Sequence, residues 1–380
     1  MPEIRLSAMK EVFVPVTRRT VWVFLEITDA DGASTVVEAT KGNLQGNAVV
    51  ELVRQLFPTL RNRPIENESK VCAVLGIDDD QPKNDFMLAT AISCLRSAVT
   101  QLNAIHNRVS LTEELGGVTT EKVPLYGNIN RALLGSRSPS AFGEMAERAA
   151  AMGFMTVKCA PFDEVNRQLS VDESLQASDL GLARVAAVRS AIGDQIDLLV
   201  DCHSRFLPEV AGSVANRLAE LNIGWFEEPF QPKTDADRLS ELSKNISVTL
   251  AGAEGIYGKN AFVDLVEQGS VSVIMPDVKH CGGISEAVAA GRASIALGAD
   301  VSLHSPSGPV SQLESAHVTA AIPGERPLEH AIGESEWRSE LLEPAERISN
   351  GYFHLPEGDG LGAELNLDAI RRHGGEIRGQ

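Results

Sequence analysis

The chain has 380 residues, 43% of them apolar and 23% charged, with a formal net charge of −18. That length buries a sizeable core, and the composition is that of a folded globular protein. So acidic a chain speaks against nucleic acid and anionic membranes as partners, because neutralising phosphates takes clustered Lys and Arg. If the ligand is an anion, the positive field must be local, and a bound divalent cation would supply it.

The N-terminal stretch MPEIRLSAMKEV carries charges where a signal peptide needs an apolar run, and no segment approaches the roughly 20 apolar residues of a membrane span. Cys72, Cys94, Cys159, Cys202 and Cys281 are odd in number and scattered, without CxxC spacing. Free thiols in a reducing, cytoplasmic setting are expected. VWVFLEITDADG followed by TVVEATKG predicts an antiparallel hairpin, and NAVVELVRQLF and Asp85 to Ile105 predict helices. Residues 1–120 thus form an α+β domain of their own.

From about residue 125 short apolar runs alternate with amphipathic stretches. Ser178 or Asp179 is expected to cap a helix whose apolar face runs through Leu182, Val185 and Ile192; Gly193 stops it, and IDLLVD follows as a strand. NAFVDLVEQG precedes SVSVIMPD, and a helix from Ser285 to Gly298 precedes ADVSLH. Such a series of βα units builds a parallel sheet. The runs end in Lys158, Asp201, Glu227, Glu254, Asp277, His304 and Glu329, the last six spaced by 26, 27, 23, 27 and 25 residues.

With VPLYGNIN as the first strand there are eight strand ends. They match a closed βα barrel whose reactive groups gather at the C-terminal rim. An open doubly wound sheet would spread them along an edge, and its Gly-rich turn after the first strand is missing. The tail, YFHLPEGDGLGAELNLDAIRR, is loop-rich and is expected to return to the N-terminal domain. The expected boundaries are 1–120, 121–345 for the barrel and 346–380 for the returning segment.

Asp201, Glu227 and Glu254 would be three hard oxygen ligands side by side, a set that suits Mg²⁺. Singly, each has an equally good reading as a helix cap or solvated charge. In LLVDCHSRF, residues two apart on a strand face the same way, so Asp201 and His203 would point together out of the sheet. Three roles are open to the pair: binding a metal jointly, dividing metal binding from proton transfer, or hydrogen-bonding each other.

Taken together, TVK at Lys158, VDCH at Asp201, WFEEP at Glu227, AGAE at Glu254, PDVKHCGG at Asp277, LHSPSGPV at His304 and LEH at Glu329 resemble the mandelate racemase-like branch of the enolase superfamily. LTEELGG, VPLYGNINR and DGLGAEL extend the resemblance over nearly the whole chain. It implies an α/β fold: a modified (β/α)7β TIM-type barrel with an N-terminal α+β capping domain completed by the C-terminal segment. It also implies removal of a proton next to a carboxylate, giving an enediolate held by Mg²⁺. On this resemblance Asp201, Glu227 and Glu254 take the metal positions, His304 that of the base, and Asp277 that of the carboxylate orienting it. Glu329 takes the place of a protonated acid that hydrogen-bonds the substrate carboxylate, and Glu228 stands behind the ligands.

The branch's Lys-x-Lys reads Lys158, Cys159, Ala160 here, so the second base is absent. Lys158 is left to contact the substrate carboxylate or a metal ligand. In acid-sugar dehydratases resembling galactonate and mannonate dehydratase, a His two places after the third-strand Asp acts as general acid, and VDCHSR is similar. β-Elimination needs a base and an acid, posts that His304 and His203 would fill. Arg205 would hold a substrate hydroxyl or carboxylate.

The expectation is an Mg²⁺-dependent dehydratase turning a 2,3-dihydroxy acid into a 2-keto-3-deoxy acid, with a small carboxylate substrate and a homo-oligomeric assembly. The alternatives are a racemase or epimerase with Lys279 as its other base, or a barrel that binds metal and carboxylates without turnover. Pro15 to Val21 and Thr40 to Asn47, with Arg18, Arg19 and Lys41, are the expected specificity segments.

Overall fold

The computed structural model describes residues 3–40, 46–118, 120–324 and 326–379. Strands β1 (Leu6–Pro15), β2 (Val21–Asp29) and β3 (Ser34–Glu38) form an antiparallel sheet. They read as near-continuous apolar runs because both faces are covered. Val12, Val14, Trp22, Phe24 and Val36 face the barrel core, whereas Phe13, Val23, Leu25, Ile27 and Val37 join a second core with the helices Gly46–Leu60 and Phe86–Asn107. The Glu376–Gly379 strand pairs antiparallel with β1, so the chain ends in the sheet where it began.

The barrel strands are β4 (Lys122–Asn128), β5 (Thr156–Cys159), β6 (Asp197–Asp201), β7 (Trp225–Glu227), β8 (Leu250–Gly252), β9 (Val273–Ile274), β10 (Asp300–Val301) and β11 (Leu328–Ala331). Successive strands from β4 to β10 pair in parallel, and β11 pairs in parallel with β4. Glu329 N to Leu303 O at 3.4 Å and Ser302 Oγ to Pro327 O at 2.7 Å span the remaining gap between β10 and β11. The pairing of β11 with β4 closes the ring and rules out the open sheet. Helices follow each of the first seven strands, which makes the (β/α)7β barrel. Tyr126, Leu199, Trp225, Ala251, Val273 and Met275 pack together as a separate buried cluster contributed by the barrel strands.

Two helix starts differ from expectation. The long helix after β5 runs Val171–Ile192, one full turn and more ahead of Ser178, because Ser170 and Glu173 form a capping box. Ser178 lies inside it and bonds to Ser174 O at 2.7 Å. Leu182, Val185 and Ile192 are buried, and Gly193 ends the helix at φ +67°. The later helix spans Ile284–Ala296, with Gly283 rather than Ser285 at its edge. All five cysteines are buried and free. Among the described residues no helix is long and apolar enough to cross a membrane.

His317, on the helix Pro309–Ala321, joins three parts of the chain. Its Nδ1 accepts from Thr112 Oγ1 at 2.9 Å, and its Nε2 donates to Leu361 O at 3.2 Å, the pattern of a neutral imidazole. Burial holds it down at about 4. A base depressed in the folded state takes up its proton more readily when unfolded. Its effect on stability is therefore nil above about pH 6.5 and unfavourable as pH falls toward 4. Roughly 3 kcal/mol of stability should be lost over that window through this residue. Urea unfolding at pH 7 and pH 4 should show that difference shrink in His317→Gln; an unchanged difference would assign the acid sensitivity elsewhere.

Candidate active site

Asp201 and Glu227 are register partners at the ends of β6 and β7. Glu254 lies two residues beyond β8, after a backbone kink at Gly252 and Ala253, whose φ of +83° is unusual for a residue with a side chain. Glu228 holds that kink: its Oε1 accepts from Ala253 N at 2.9 Å and Glu254 N at 3.3 Å. Gly252 is required there, since a Cβ would lie 2.7 Å from Glu228 Cγ. Glu228 thus stands behind Glu254 and aims it.

The opening of β6 resolves the question of Asp201 and His203. The strand stops at Asp201, and His203 and Ser204 take left-handed backbone angles, φ +49° and +56°. Asp201 Oδ1 accepts from His203 N at 2.9 Å, and Oδ2 stands 2.9 Å from His203 Nε2. The two side chains meet through a tight turn, not through strand alternation.

Lys158 is buried between Glu227 Oε1 at 2.9 Å and Glu329 Oε1 at 2.8 Å. Trp225 Nε1 donates to Glu227 Oε2 at 2.9 Å, while Glu329 also accepts from Asn128 Nδ2 at 2.7 Å and Ser305 N at 2.9 Å. His304 places Nδ1 2.8 Å from Asp277 Oδ2 and Nε2 2.9 Å from Glu254 Oε2. Lys279 Nζ grips both Asp277 oxygens, at 2.8 and 2.7 Å.

Six carboxylates (Asp201, Glu227, Glu228, Glu254, Asp277 and Glu329) therefore crowd one rim against two lysines and three imidazoles, those of His203, His280 and His304. Burial, with neighbouring acids adding to it, pushes Glu227 and Glu228 up to about 8. Burial acts the same way on Glu254, but His304 beside it holds it down to about 2. Burial also opposes ionisation of Asp277, yet Lys279, His280 and His304 keep it far below the usual carboxylate range. Asp201 raises His203 to about 9. An excess of buried oxygen donors on three consecutive strands has the chemistry of a hard-cation site.

Each of those three donors is turned to a basic side chain: Asp201 to His203, Glu227 to Lys158 and Glu254 to His304. Among the described residues, the group whose ligand atoms all lie within 4.8 Å of one another is instead Asp29, Asp31 and His106, in the N-terminal domain. There Asp29 Oδ1 is already committed to Asp31 N and Ala33 N.

Several expected contacts differ. Arg205 gives Nη1 to the carbonyls of Phe162 at 3.2 Å and Asp163 at 2.8 Å, bracing the loop after β5. Lys279 is buried on Asp277 and offers no second base. The protonated form expected of Glu329 is disfavoured: burial raises its pKa, but Lys158 and His304 bring it below the ordinary value. Pro15 to Val21 holds a short turn closed by Val16 N to Thr20 O at 3.0 Å, with Arg18 and Arg19 exposed. Lys41 to Gln45, within the second expected segment, lie outside the described residues.

A cavity of about 400 Å³ opens on Glu254 and His304 and is also lined by Phe86, Lys233 and His280. Phe86 comes from the N-terminal domain and stacks at a tilt on His280, ring centroids 4.5 Å apart. The only sequence sign of this wall was His280 inside PDVKHCGG.

A barrel with a ring of ionisable groups on its C-terminal rim, roofed by an α+β cap, is the architecture of the enolase superfamily. Residues 141–369 match the family described as enolase C-terminal domain-like, and the chain belongs to it. The chain is 26% identical over 355 residues to D-gluconate dehydratase from Thermoproteus tenax, covering 93% of this chain and 70% of that protein. It is 29% identical over 364 residues to D-galactarolactone cycloisomerase from Agrobacterium fabrum, covering 93% and 91%. The fold matches a solved member of the enolase superfamily from Salmonella Typhimurium with a TM-score of 0.85 at 22% identity, covering 99% of this chain and 100% of that one.

Lys158→Met should leave Glu329 buried without its counter-charge, and Glu227, already pushed up to about 8, without its ammonium donor. A loss of about 3–5 kcal/mol at pH 7 is expected from denaturant unfolding, the usual cost of removing one partner from a buried ion pair. A loss below about 1 kcal/mol would mean that the two acids are neutralised by another route.

Proposed function

We propose that this protein is an Mg²⁺-dependent dehydratase of a sugar acid, yielding a 2-keto-3-deoxy acid. The observation that carries the reading is the placement of two imidazoles. His203 follows β6 and His304 follows β10, four strands apart in an eight-stranded ring and so on opposite sides of the mouth. A polyhydroxy carboxylate lying between them would meet a proton acceptor on one side and a proton donor on the other. Relatives named for the dehydration of gluconate, xylonate and galactonate support this class.

Asp277 accepts the Nδ1 proton of His304 and fixes the ring, leaving Nε2 to face the carboxylate cluster. That nitrogen takes the proton from the carbon beside the substrate carboxylate. The bond from the next carbon to its hydroxyl breaks, the hydroxyl leaves as water with a proton from His203, and the resulting enol becomes the 2-keto acid. Asp201, Glu227 and Glu254 would hold Mg²⁺, as their all-oxygen, crowded character suits. When bound, Mg²⁺ supplies electrostatic stabilisation for the charge developing on the substrate carboxylate. Lys158 keeps Glu227 and Glu329 in place and adds positive charge on that side.

A racemase or epimerase with a lysine as its second base finds none, because Ala160 stands at the branch's second-strand lysine position and Lys279 is held on both Asp277 oxygens. A mere binding barrel has no use for the oriented pair of His304 and Asp277.

Screening a library of sugar acids for 2-keto acid formation tests the class. On the substrate so found, His304→Asn should abolish exchange of the α-proton with D₂O along with net reaction. Persistent exchange at the normal rate would place the base elsewhere. His203→Asn should lose roughly two to four orders of magnitude in dehydration, the range of general acid help. An analogue carrying fluoride at the 3-position needs no protonation to depart and should be spared most of that loss. Equal loss on both compounds would remove His203 from the acid's role.

A further inference from the structure

The two barrel helices that follow β9 and β10, the strands leading to Asp277 and His304, have no side-chain cap of their own. Helix Ile284–Ala296 starts after Gly283, and helix Pro309–Ala321 after Gly308. A glycine leaves the first backbone N–H groups of a helix without an acceptor from the cap position. The N-terminal domain fills both gaps. Ser93 Oγ accepts from Gly282 N at 2.9 Å and Ser97 Oγ from Ile284 N at 3.2 Å. Glu38, the last residue of β3 and 1% exposed, accepts from Gly308 N on Oε1 at 2.7 Å and from Ser311 N on Oε2 at 2.9 Å.

The fit is close at both helix starts. A Cβ on Gly308 would lie 2.8 Å from Glu38 Oε2, and one on Gly283 would lie 3.1 Å from Ser97 Oγ. A carboxylate also suits the positive end of a 13-residue helix. The segment between His304 and Gly308 is held at two further points, by Ser305 N on Glu329 Oε2 at 2.9 Å and by Arg338 on the carbonyl of Ser307. Among the described anchors of this segment, Glu38 is the one that the N-terminal domain contributes.

We propose that Glu38 is a positioning residue for His304: by capping in trans the helix that begins just past the base, it fixes the His304 loop against Asp277. The inference rests on the reading of His304 as the base. An imidazole set 2.8 Å from its orienting carboxylate has little tolerance for drift, and a displacement of about 1 Å can cost on the order of 100-fold in rate.

Gly308 has φ −70° and ψ 179°, the backbone of an ordinary capping residue, so an aspartate there can cap in cis once Glu38 is gone. The test compares Glu38→Ala, Gly308→Asp and the double variant, at a temperature where circular dichroism shows all of them folded. In α-proton exchange with D₂O, Glu38→Ala should lower kcat by roughly 10–100-fold while KM and Mg²⁺ affinity stay within about 2-fold. Gly308→Asp alone should also be impaired, by clash and like charge. The double variant should regain at least about 10-fold over Glu38→Ala.

A Glu38→Ala kcat within about 2-fold of the parent, a loss confined to KM, or a double variant no better than Glu38→Ala would overturn the inference. If Glu38→Ala fails to fold, Glu38→Gln is read by the same kcat and KM criteria, since its amide group can serve only one of the two N–H donors. A crystal structure of the variant with the His304 to Asp277 distance unchanged would also defeat it. His304→Asn, run in parallel, separates the two levels: exchange surviving there sinks the assignment of the base, whatever Glu38 does.

Discussion

Glu227 and Glu329, both fully buried, share a single ammonium group, and the rim of this barrel is arranged around that shortage of positive charge. Two carboxylates cannot both ionise inside a protein without a cation between them, and Lys158 is long enough to reach both from β5. It is then used up, so Asp201 and Glu254 must find other partners. They take the two histidines, one reached by a left-handed turn straight after β6 and one brought across from the end of β10. Glu228 has no lysine or histidine of its own and is instead tied to backbone N–H groups at the kink before Glu254.

The same crowding bears on chemistry. A chain of net charge −18 with six acids at one rim would repel an anionic substrate from that rim. A carboxylate ligand is acceptable only if a strong local cation sits among the acids, and the acids are the donors such a cation prefers. The apparent defect of the site and its suitability for a divalent ion are thus one property. The imidazoles balance carboxylates at rest, and on the proposed reading they also offer proton transfer from opposite sides of the mouth.

The barrel was legible because βα repetition leaves a rhythm in the sequence, and an ionisable residue every 23 to 27 positions marked the strand ends. What was hidden is what depends on backbone geometry or on distant chain. The turn at His203 needs left-handed angles at two residues with side chains, which no alternation pattern signals. The helix is capped by Ser170 and not by Ser178; S-V-D-E spells a capping box there, but the helix's first turns lack a clear apolar stripe to mark it. Arg205, two places past His203, is braced on the carbonyls of Phe162 and Asp163, 43 and 42 residues earlier, a partnership that its position in the chain does not signal. Glu38 and the helix it caps are 270 residues apart; the trace they left was glycine where a capping Ser or Asp would be ordinary.

That last detail divides the rim into two halves. Around β5 to β8 the carboxylates are set by the barrel's own residues, with Lys158 and Trp225 on Glu227 and Glu228 on the Glu254 kink. Around β9 and β10 the N-terminal domain intrudes: Thr90 bonds His280 at 3.0 Å, Ser93 and Ser97 hold the turn after Asp277, and Glu38 holds the helix after His304. The cap also meets the rim past β7 and β8, where Lys233 bonds the carbonyl of Lys83 and Tyr257 packs with Cys72, Leu88 and Ile92; what it adds at β9 and β10 is hydrogen bonds to the segments that follow Asp277 and His304. Because Phe86 of the same domain also lines the cavity, the cap contributes both to the cavity wall and to the bonds that seat the His304 segment. Substitutions that reshape the cavity wall from the cap side must therefore preserve the bonds that seat the His304 segment.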